Sequence, residues 1–359
     1  MSEKATKVLY LFAGERKVLE AGWRAGKMPD THLIGFNHLA EFGVEADFVE
    51  NRFLNWVRKR NYNIPQIFLL PFLARYDVVF SGASLALPFI AKVVLRMRRP
   101  KFVWYNTFFT NAIKRNRTRR FRLWVIRKTI ASLDAIVCPS TAQREFLIKE
   151  GFDARKIFFV PNGVDAEFID KVSAARPEAA PPPPPFILSV GKDMGRDYKT
   201  LFAAVADLPV QVRVAALPRN LKNAGPAPLN VKAEGFVPFG RLAELYEEAR
   251  FVVISTKSEN HLDASDCSGQ YVLLDAMSAG KAVIASERAT LADYVSNGKE
   301  GLIVPPENSS ALRTAIKDLL DHPDKADFLG KAGREKVVEN FTTTRLARDL
   351  ADIFKKVVS

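Results

Sequence analysis

Read for hydrophobic and polar positions alone, the chain alternates between two patterns. Short apolar runs rich in Val, Ile and Phe, each closed by a polar or Gly-containing turn, lead into longer stretches with helical spacing of apolar residues. In the first half the runs predict strands at Lys7–Ala13, Val44–Glu50, Asp77–Phe80, Lys101–Tyr105, Asp134–Cys138 and Ile157–Val160. The second half repeats the rhythm at Phe186–Val190, Gln211–Ala215, Phe251–Ser255, Ala282–Ala285 and Leu302–Val304. The intervening patterns predict helices, among them 31–42, framed by Thr31 as N-cap and by Gly43, and 141–150, framed by Ser140 and Gly151.

Such alternation builds parallel sheets covered on both faces. A chain of 359 residues exceeds what one hydrophobic core usually organises, so two domains are expected. The run Pro181–Pro185, preceded by Ala and Pro from Ala174 onward, can form neither helix nor central strand and reads as a stiff connector. The expected order is a Rossmann-like domain over 1–172, a Pro-rich linker over 173–185, a second Rossmann-like domain over 186–341, and a helix over 342–359. That last helix aligns Leu346, Leu350, Ile353 and Phe354 on one stripe, which suits packing on its own domain. Open α/β sheets bind ligands at the carboxyl ends of their strands, so a cleft between the two sheets is where chemistry is expected.

Composition fits a globular protein, with 48% hydrophobic and 26% charged residues. Two cysteines, Cys138 and Cys267, are too few for a disulfide framework, and no leader precedes the first strand, which together imply a reducing cytoplasm. No stretch is long and apolar enough to span a bilayer, so membrane contact is expected to be peripheral. Charge adds more. Residues 1–180 carry 30 Lys and Arg against 17 Asp and Glu, whereas residues 181–359 carry 23 of each. An excess confined to one domain points to a polyanionic partner of that domain.

Three clusters carry candidate chemistry. In Val190-Gly191-Lys192-Asp193-Met194-Gly195-Arg196-Asp197-Tyr198-Lys199, a strand enters a polar Gly-containing loop and then a helix. Cations at a helix N-terminus suit a bound diphosphate, although an ordinary solvated loop fits these residues as well. In the second cluster Ser268 is expected to cap a helix, and Gly269 lets a phosphate approach the backbone beside Gln270. Asp275 follows about two turns later and could hydrogen-bond a ribose diol, or serve as a solvated helix residue. The third, Pro161-Asn162-Gly163-Val164-Asp165, reads first as a sharp turn.

In this order and at these separations, the clusters resemble family 4 retaining glycosyltransferases of the GT-B fold. The resemblance rests on PNGVD at 161–165, the basic loop ending in Lys199, GFVP at 235–238, LLDAMSAGKAVIAS at 273–286 and GLIVPP at 301–306. It implies two Rossmann-like domains facing a central cleft, a nucleoside diphosphate-sugar donor and no resident cofactor. Lys192 or Arg196, with Lys199, would hold the diphosphate. The backbone of Gly235, Phe236 and Val237 would lie beside the nucleobase, and Asp275 would bind the ribose. The family also lets its final helix cross back onto the first domain.

Two departures matter. Cys267 stands where the first Glu of a family pair is expected, with Glu259, Asp263 and Asp266 clustered in the preceding loop. Asn106, in Tyr105-Asn106-Thr107, stands where a His is often found and is nominated as a sugar contact. Gly14, after the first strand, is a candidate for close approach of donor or acceptor, or merely a turn. In the family the leaving diphosphate helps deprotonate the acceptor, so charge stabilisation by the basic loop counts as catalysis. No metal-ligand spacing is visible among four His and two Cys.

The segment Lys114–Lys128, KRNRTRRFRLWVIRK, holds eight Lys or Arg and no acid. With Arg117, Arg119, Arg120 and Arg122 beside Phe121 and Trp124, it could lie on an anionic leaflet, or pack as a core helix with a basic outer face. The first reading implies a lipid-linked acceptor and a place on the inner face of the membrane. Nucleic-acid binding is a rival that leaves the second-half motifs unexplained. A soluble-acceptor transferase or a nucleotide-sugar epimerase would share the donor motifs.

Overall fold

The computed structural model describes residues 5–60, 66–175, 184–262 and 264–359. Asp263 and the connector residues 176–183 lie outside the described residues. Twelve strands form: β1 (Thr6–Leu11), β2 (Val44–Phe48), β3 (Val78–Ser81), β4 (Lys101–Tyr105), β5 (Ala135–Cys138), β6 (Ile157–Phe159), β7 (Phe186–Val190), β8 (Gln211–Ala215), β9 (Val231–Ala233), β10 (Phe251–Ile254), β11 (Val283–Ser286) and β12 (Leu302–Val304). They make two six-stranded sheets, ordered β2-β1-β3-β4-β5-β6 and β12-β11-β10-β7-β8-β9. Every pairing between them is parallel.

Period-two side-chain alternation splits each continuous apolar run between two cores. In β4, Phe102 and Trp104 enter one core and Val103 and Tyr105 the other. The first core is covered by residues such as Leu54, Leu73, Ala91, Ile113 and Ile130, from successive helical segments between β2 and β5. The second is closed by the helix Thr343–Val358, which buries Leu346, Ala347, Leu350, Ala351, Ile353 and Phe354. In the other sheet, Ile187 and Val253 face the helices Tyr198–Val205 and Ser309–Asp321, while Leu188 and Ile254 face Phe239–Glu248 and Gln270–Ser278.

The chain divides into two compact units. One comprises Met1–Ala25, Asp30–Gly163 and Thr343–Ser359, the other Gly26–Pro29 and Val164–Thr342. The division falls at Gly163 rather than at 172, because the helix Ala166–Ala174 lays Phe168 and Ile169 against Ala243 of the second unit.

Three local expectations need correction. The stretch 31–42 is not one α-helix. Ile34 and Gly35 take left-handed dihedrals and split it into the 3-10 turns Thr31–Leu33 and Phe36–Phe42, with Thr31 buried as the first residue of its turn and Asp30, not Thr31, at the N-cap. A Cβ on Gly35 would lie 2.9 Å from the Ala347 Cα, so the chain there passes tightly against the terminal helix. Ser268 does not cap the following helix either: Gly269 occupies the N-cap position at φ 95° and no side chain caps it. The strand β9 was not foreseen. Ser140 caps its helix as expected, accepting from the Gln143 amide, and Asp165 and Asp197 cap theirs by accepting from the Phe168 and Thr200 amides. No helix among the described residues is long and apolar enough to cross a membrane.

Candidate functional site

The carboxyl ends of β7, β10 and β11 bring together three loops of the second unit. After β7, the loop folds on itself through Asp193, whose Oδ1 accepts from the Gly195 amide at 2.8 Å. Its Oδ2 accepts from the Ser265 amide at 3.1 Å, tying this loop to the one before the helix Gln270–Ser278. The segment is further clamped to the end of β10, where Asp197 N donates to the Ser255 carbonyl at 3.0 Å and Ser255 Oγ donates to the Asp197 carbonyl at 2.8 Å.

This clamping forces Arg196 inward. Only 6% of the residue is exposed, and its Nε and Nη1 are buried without a hydrogen-bond partner among the described residues. Burial pushes the guanidinium below its usual pKa, opposed in part by the nearby Asp193 carboxylate and aided more weakly by the Arg288 charge. An unpaired buried cation is among the most costly arrangements a core can hold. The geometry around it keeps space open. A Cβ on Gly191 would lie 2.0 Å from Arg196 Nε, so only glycine lets the guanidinium cross that backbone. Gly269, in the left-handed region, would carry its Cβ 3.7 Å from Arg196 Nη1. The positive end of the helix Gln270–Ser278 begins beside it. Ser268 Oγ and Thr256 Oγ1 are likewise buried without partners among the described residues.

Asp275 sits partly buried on the same helix, its pKa pushed up to about 7 by desolvation and then by the charge of Asp165. Tyr246, fully buried with no partner for its hydroxyl among the described residues, lies close enough to both Asp275 and Arg196 to feel their charges. The cluster therefore runs from a cationic end at Arg196 to a carboxyl end at Asp275. It offers an anion hydrogen-bond donors and a diol an acceptor.

Other nominated residues stand differently. Lys192 and Lys199 are exposed, flanking the buried Arg196. Gly235 is left-handed in open space, Phe236 is 72% exposed and Val237 packs against the core. Glu259 has a buried carboxylate oxygen without a partner among the described residues, and Asp266 is buried. Gln270 is a brace: its side-chain amide donates to the Thr290 carbonyl at 2.7 Å inside the core. In the first unit, Asn106 is tied into the structure around it. It is fully buried, its Oδ1 accepts from the Phe109 amide at 2.9 Å, and its Nδ2 donates to Cys138 Sγ at 3.6 Å. Gly14 lines a small recess with Phe12, Glu50 and Gln66, and a Cβ there would meet only the end of the Arg16 side chain. Arg117 pairs with Glu150 at 2.8 Å. Arg119, Arg120 and Arg122 line an open concavity with Phe121, and Trp124 is 49% exposed.

Arg288 was missed in the sequence. It is 7% exposed, donates to the Lys257 carbonyl at 3.2 Å and has a buried Nε without a partner among the described residues. Its place just after β11, at a strand's carboxyl end, was the available signal. Thr256, two residues past the end of β10, carried the same signal, whereas Tyr246 carried none, because unpartnered burial exists only in three dimensions.

Two sequence profiles match the chain on either side of its middle. "Glycosyltransferase Family 4" matches residues 31–168, and "Glycosyl transferases group 1" matches residues 199–322. The chain belongs to glycosyltransferase family 4. Among relatives of this family 4 chain is the alpha-maltose-1-phosphate synthase of Mycolicibacterium smegmatis, 25% identical over 65% of this chain and 66% of that enzyme, slightly under two thirds of its length. Sucrose-phosphate synthase from Thermosynechococcus elongatus superposes with a TM-score of 0.75 at 19% identity, covering 98% of this chain and 99% of that one. HepE of Anabaena, solved in complex with UDP and glucose, gives 0.69 at 14% identity over 98% and 99%. At such identities the likeness establishes the fold, and the two parallel six-stranded sheets of this family 4 protein are those of GT-B.

Proposed function

We propose that this protein transfers a sugar from a nucleoside diphosphate-sugar to an acceptor hydroxyl, with retention at the anomeric carbon. The observation that carries the reading is the buried Arg196 guanidinium, its Nε and Nη1 without hydrogen-bond partners among the described residues, between Gly191 and Gly269 at the N-terminus of the helix Gln270–Ser278. A diphosphate there would replace lost hydration with fixed donors and convert a costly unpaired charge into a paired one. The names of the solved relatives support the ligand class, since HepE was captured with UDP and with UDP-glucose.

In the proposed reaction the bond between the anomeric carbon and the diphosphate oxygen breaks, its electron pair staying on the diphosphate. The acceptor oxygen bonds to the anomeric carbon from the same face, and its proton passes to the leaving diphosphate. Arg196, with Ser268 Oγ and the helix N-terminus, stabilises the charge that develops. Lys192 and Lys199 meet the outer phosphate oxygens, and Asp275 accepts from the ribose diol. We assign the charge-balancing role to Arg196, without a resident metal; unchanged turnover in a chelator tests this.

Thermal-shift screening against UDP-, GDP-, ADP- and TDP-sugars tests the donor, because binding raises stability by mass action. Failure of all four to raise the melting temperature would overturn the assignment. Product analysis separates the classes: a new glycoside supports transfer, and an altered sugar nucleotide supports an epimerase. A lipid-linked acceptor handled at the inner face of the membrane is favoured over a soluble one by the exposed Arg120, Phe121, Arg122 and Trp124 on the helix Arg120–Ser132.

A further inference from the structure

The exposed aromatic surface of the first unit extends well beyond the segment 114–128. The helix Arg52–Arg60 exposes Phe53 and Trp56, which stack with ring centroids 6.4 Å apart. Phe53 also meets Phe68 edge-on at 5.3 Å, and Phe68 and Phe72 protrude from the 3-10 segment Ile67–Arg75. Val94 and Leu95 are exposed at the end of the next helical segment, and Phe121 and Trp124 stack on the helix beyond it, 6.1 Å apart. All these elements pack their inner faces on one core, that of Leu54, Leu69, Ala91 and Ile130, so the exposed groups share one layer of the unit.

Soluble proteins rarely leave so many large apolar side chains outward on one layer, and such a surface marks an interaction. Its charge identifies the partner. Residues 51–133, which supply these exposed groups, contain eighteen Lys and Arg, of which Lys92, Lys101, Arg117 and Arg127 pair with the neighbouring Asp134 and Glu150, and a single acid, Asp77. That acid is engaged, accepting from the Lys7 amide at 3.0 Å. Two of the cations lie directly on the rings, the Arg60 guanidinium 4.1 Å from the Trp56 centroid and that of Arg75 5.5 Å from Phe72. Protruding rings and aliphatic chains interleaved with arginine suit the interface of an anionic bilayer, where rings enter the headgroup region and guanidinium groups meet phosphates. Nucleic acid would find stacking rings here but no use for Val94 and Leu95.

We propose that this layer is a bilayer-docking surface, seated on anionic lipid through two aromatic anchors, Phe53/Trp56/Phe68/Phe72 and Phe121/Trp124, with the surrounding arginines on the headgroups. The proposal rests on the membrane side of the reading above but not on the donor chemistry, and the two are separable because vesicle binding needs no donor. The test is cosedimentation of the full chain with phosphatidylcholine vesicles and with vesicles containing phosphatidylglycerol. Wild type is expected to bind the anionic vesicles at least tenfold more tightly, with affinity falling as salt rises. Trp56→Ser with Phe72→Ser, and separately Phe121→Ser with Trp124→Ser, should each lower anionic-vesicle affinity about tenfold without shifting the melting temperature. Arg119→Ser with Arg120→Ser and Arg122→Ser should remove the preference for anionic lipid. Binding that depends on the arginines but ignores both aromatic pairs, equal absence of binding to either vesicle, or tighter retention of RNA or DNA than of vesicles would each overturn the proposal. A nucleotide-sugar thermal shift that persists in the same preparation shows that only the docking proposal has failed.

Discussion

The two units build the same kind of sheet yet place positive charge at opposite depths. In the second unit, which has 22 Lys and Arg against 25 Asp and Glu, Arg196 and Arg288 are driven inside, each leaving a nitrogen without a partner among the described residues. In the first, which carries the entire excess, the cations stand outside among exposed rings, with Arg119, Arg120 and Arg122 around an open concavity. A buried lone cation is tolerated only where a small anion will neutralise it, because desolvation is costly. An exposed one costs little and gains from a large, diffuse anionic partner. Depth, rather than amount, of charge thus separates a ligand site from a docking surface.

The largest effect should come from removing the buried charge. Arg196→Met is expected to lower sugar transfer about a thousandfold, the scale of losing one preorganised charge-stabilising group. At the same time the unliganded protein should become more stable, by about 2 kcal/mol, because an apolar side chain replaces an unpaired cation. Melting curves with and without nucleoside diphosphate check both. A variant that melts lower than wild type without ligand would mean that Arg196 is a structural cation, and the contrast between the units would dissolve.

A smaller effect is expected from crowding the same charge. At Gly191→Ala the new methyl meets Arg196 Nε at 2.0 Å, so the guanidinium must move. Donor affinity should fall about thirtyfold, roughly 2 kcal/mol, read by isothermal titration with a nucleoside diphosphate. The parallel change Gly14→Ala in the first unit meets only the end of the Arg16 side chain, at 2.9 Å, and should leave affinity within about twofold.

How much of this was legible beforehand follows from which signals are one-dimensional. Strands β4, β7, β8 and β12 match their predicted bounds to the residue; β4 and β7, interior and almost wholly buried, do so because parallel strands covered on both faces are apolar nearly throughout. The edge strand β9 was invisible: three residues, Val-Lys-Ala, largely exposed, carry no such run. The 31–42 region misled because its helical spacing of apolar residues could not reveal left-handed dihedrals at Ile34 and Gly35. In the site, Gly191, Arg196 and Gly269 announce themselves as a strand-loop-helix with glycines. Asn106 could not be judged, since a polar residue after a strand looks the same whether it faces a ligand or braces a Cys138 thiol and a Phe109 amide.

The carboxyl end of the cluster makes a pH prediction. Asp275 is held up to about 7, so between the ordinary carboxylate range and pH 7 the folded protein holds a proton that the unfolded chain releases. Stability without ligand should therefore fall as pH rises from about 4 to 7, by about 3 kcal/mol. Asp275→Asn should flatten that slope in urea melts at successive pH values. If Asp275 also accepts from a ribose, the same substitution should weaken nucleoside diphosphate binding mainly above pH 7, where the carboxylate is ionised.

The first unit supplies the opposite titration, and the smallest effect. His38 places Nε2 2.8 Å from Asp30 and Nδ1 2.9 Å from Glu41, with Thr344 of the terminal helix at 3.5 Å. The hydrogen bond to Asp30, aided by Glu41 and opposed by partial burial, raises its pKa to about 9. Because the folded value lies above the unfolded 6.5, the stabilisation is complete below about pH 6.5 and disappears as pH rises through 9. Here a paired, half-accessible cation stabilises, whereas the lone buried Arg196 destabilises until a ligand arrives. His38→Gln should thus cost about 1 kcal/mol at pH 6 and almost nothing above pH 9. An equal loss at both pH values would make the contact one of shape alone, and would leave buried Arg196 without its paired counterpart.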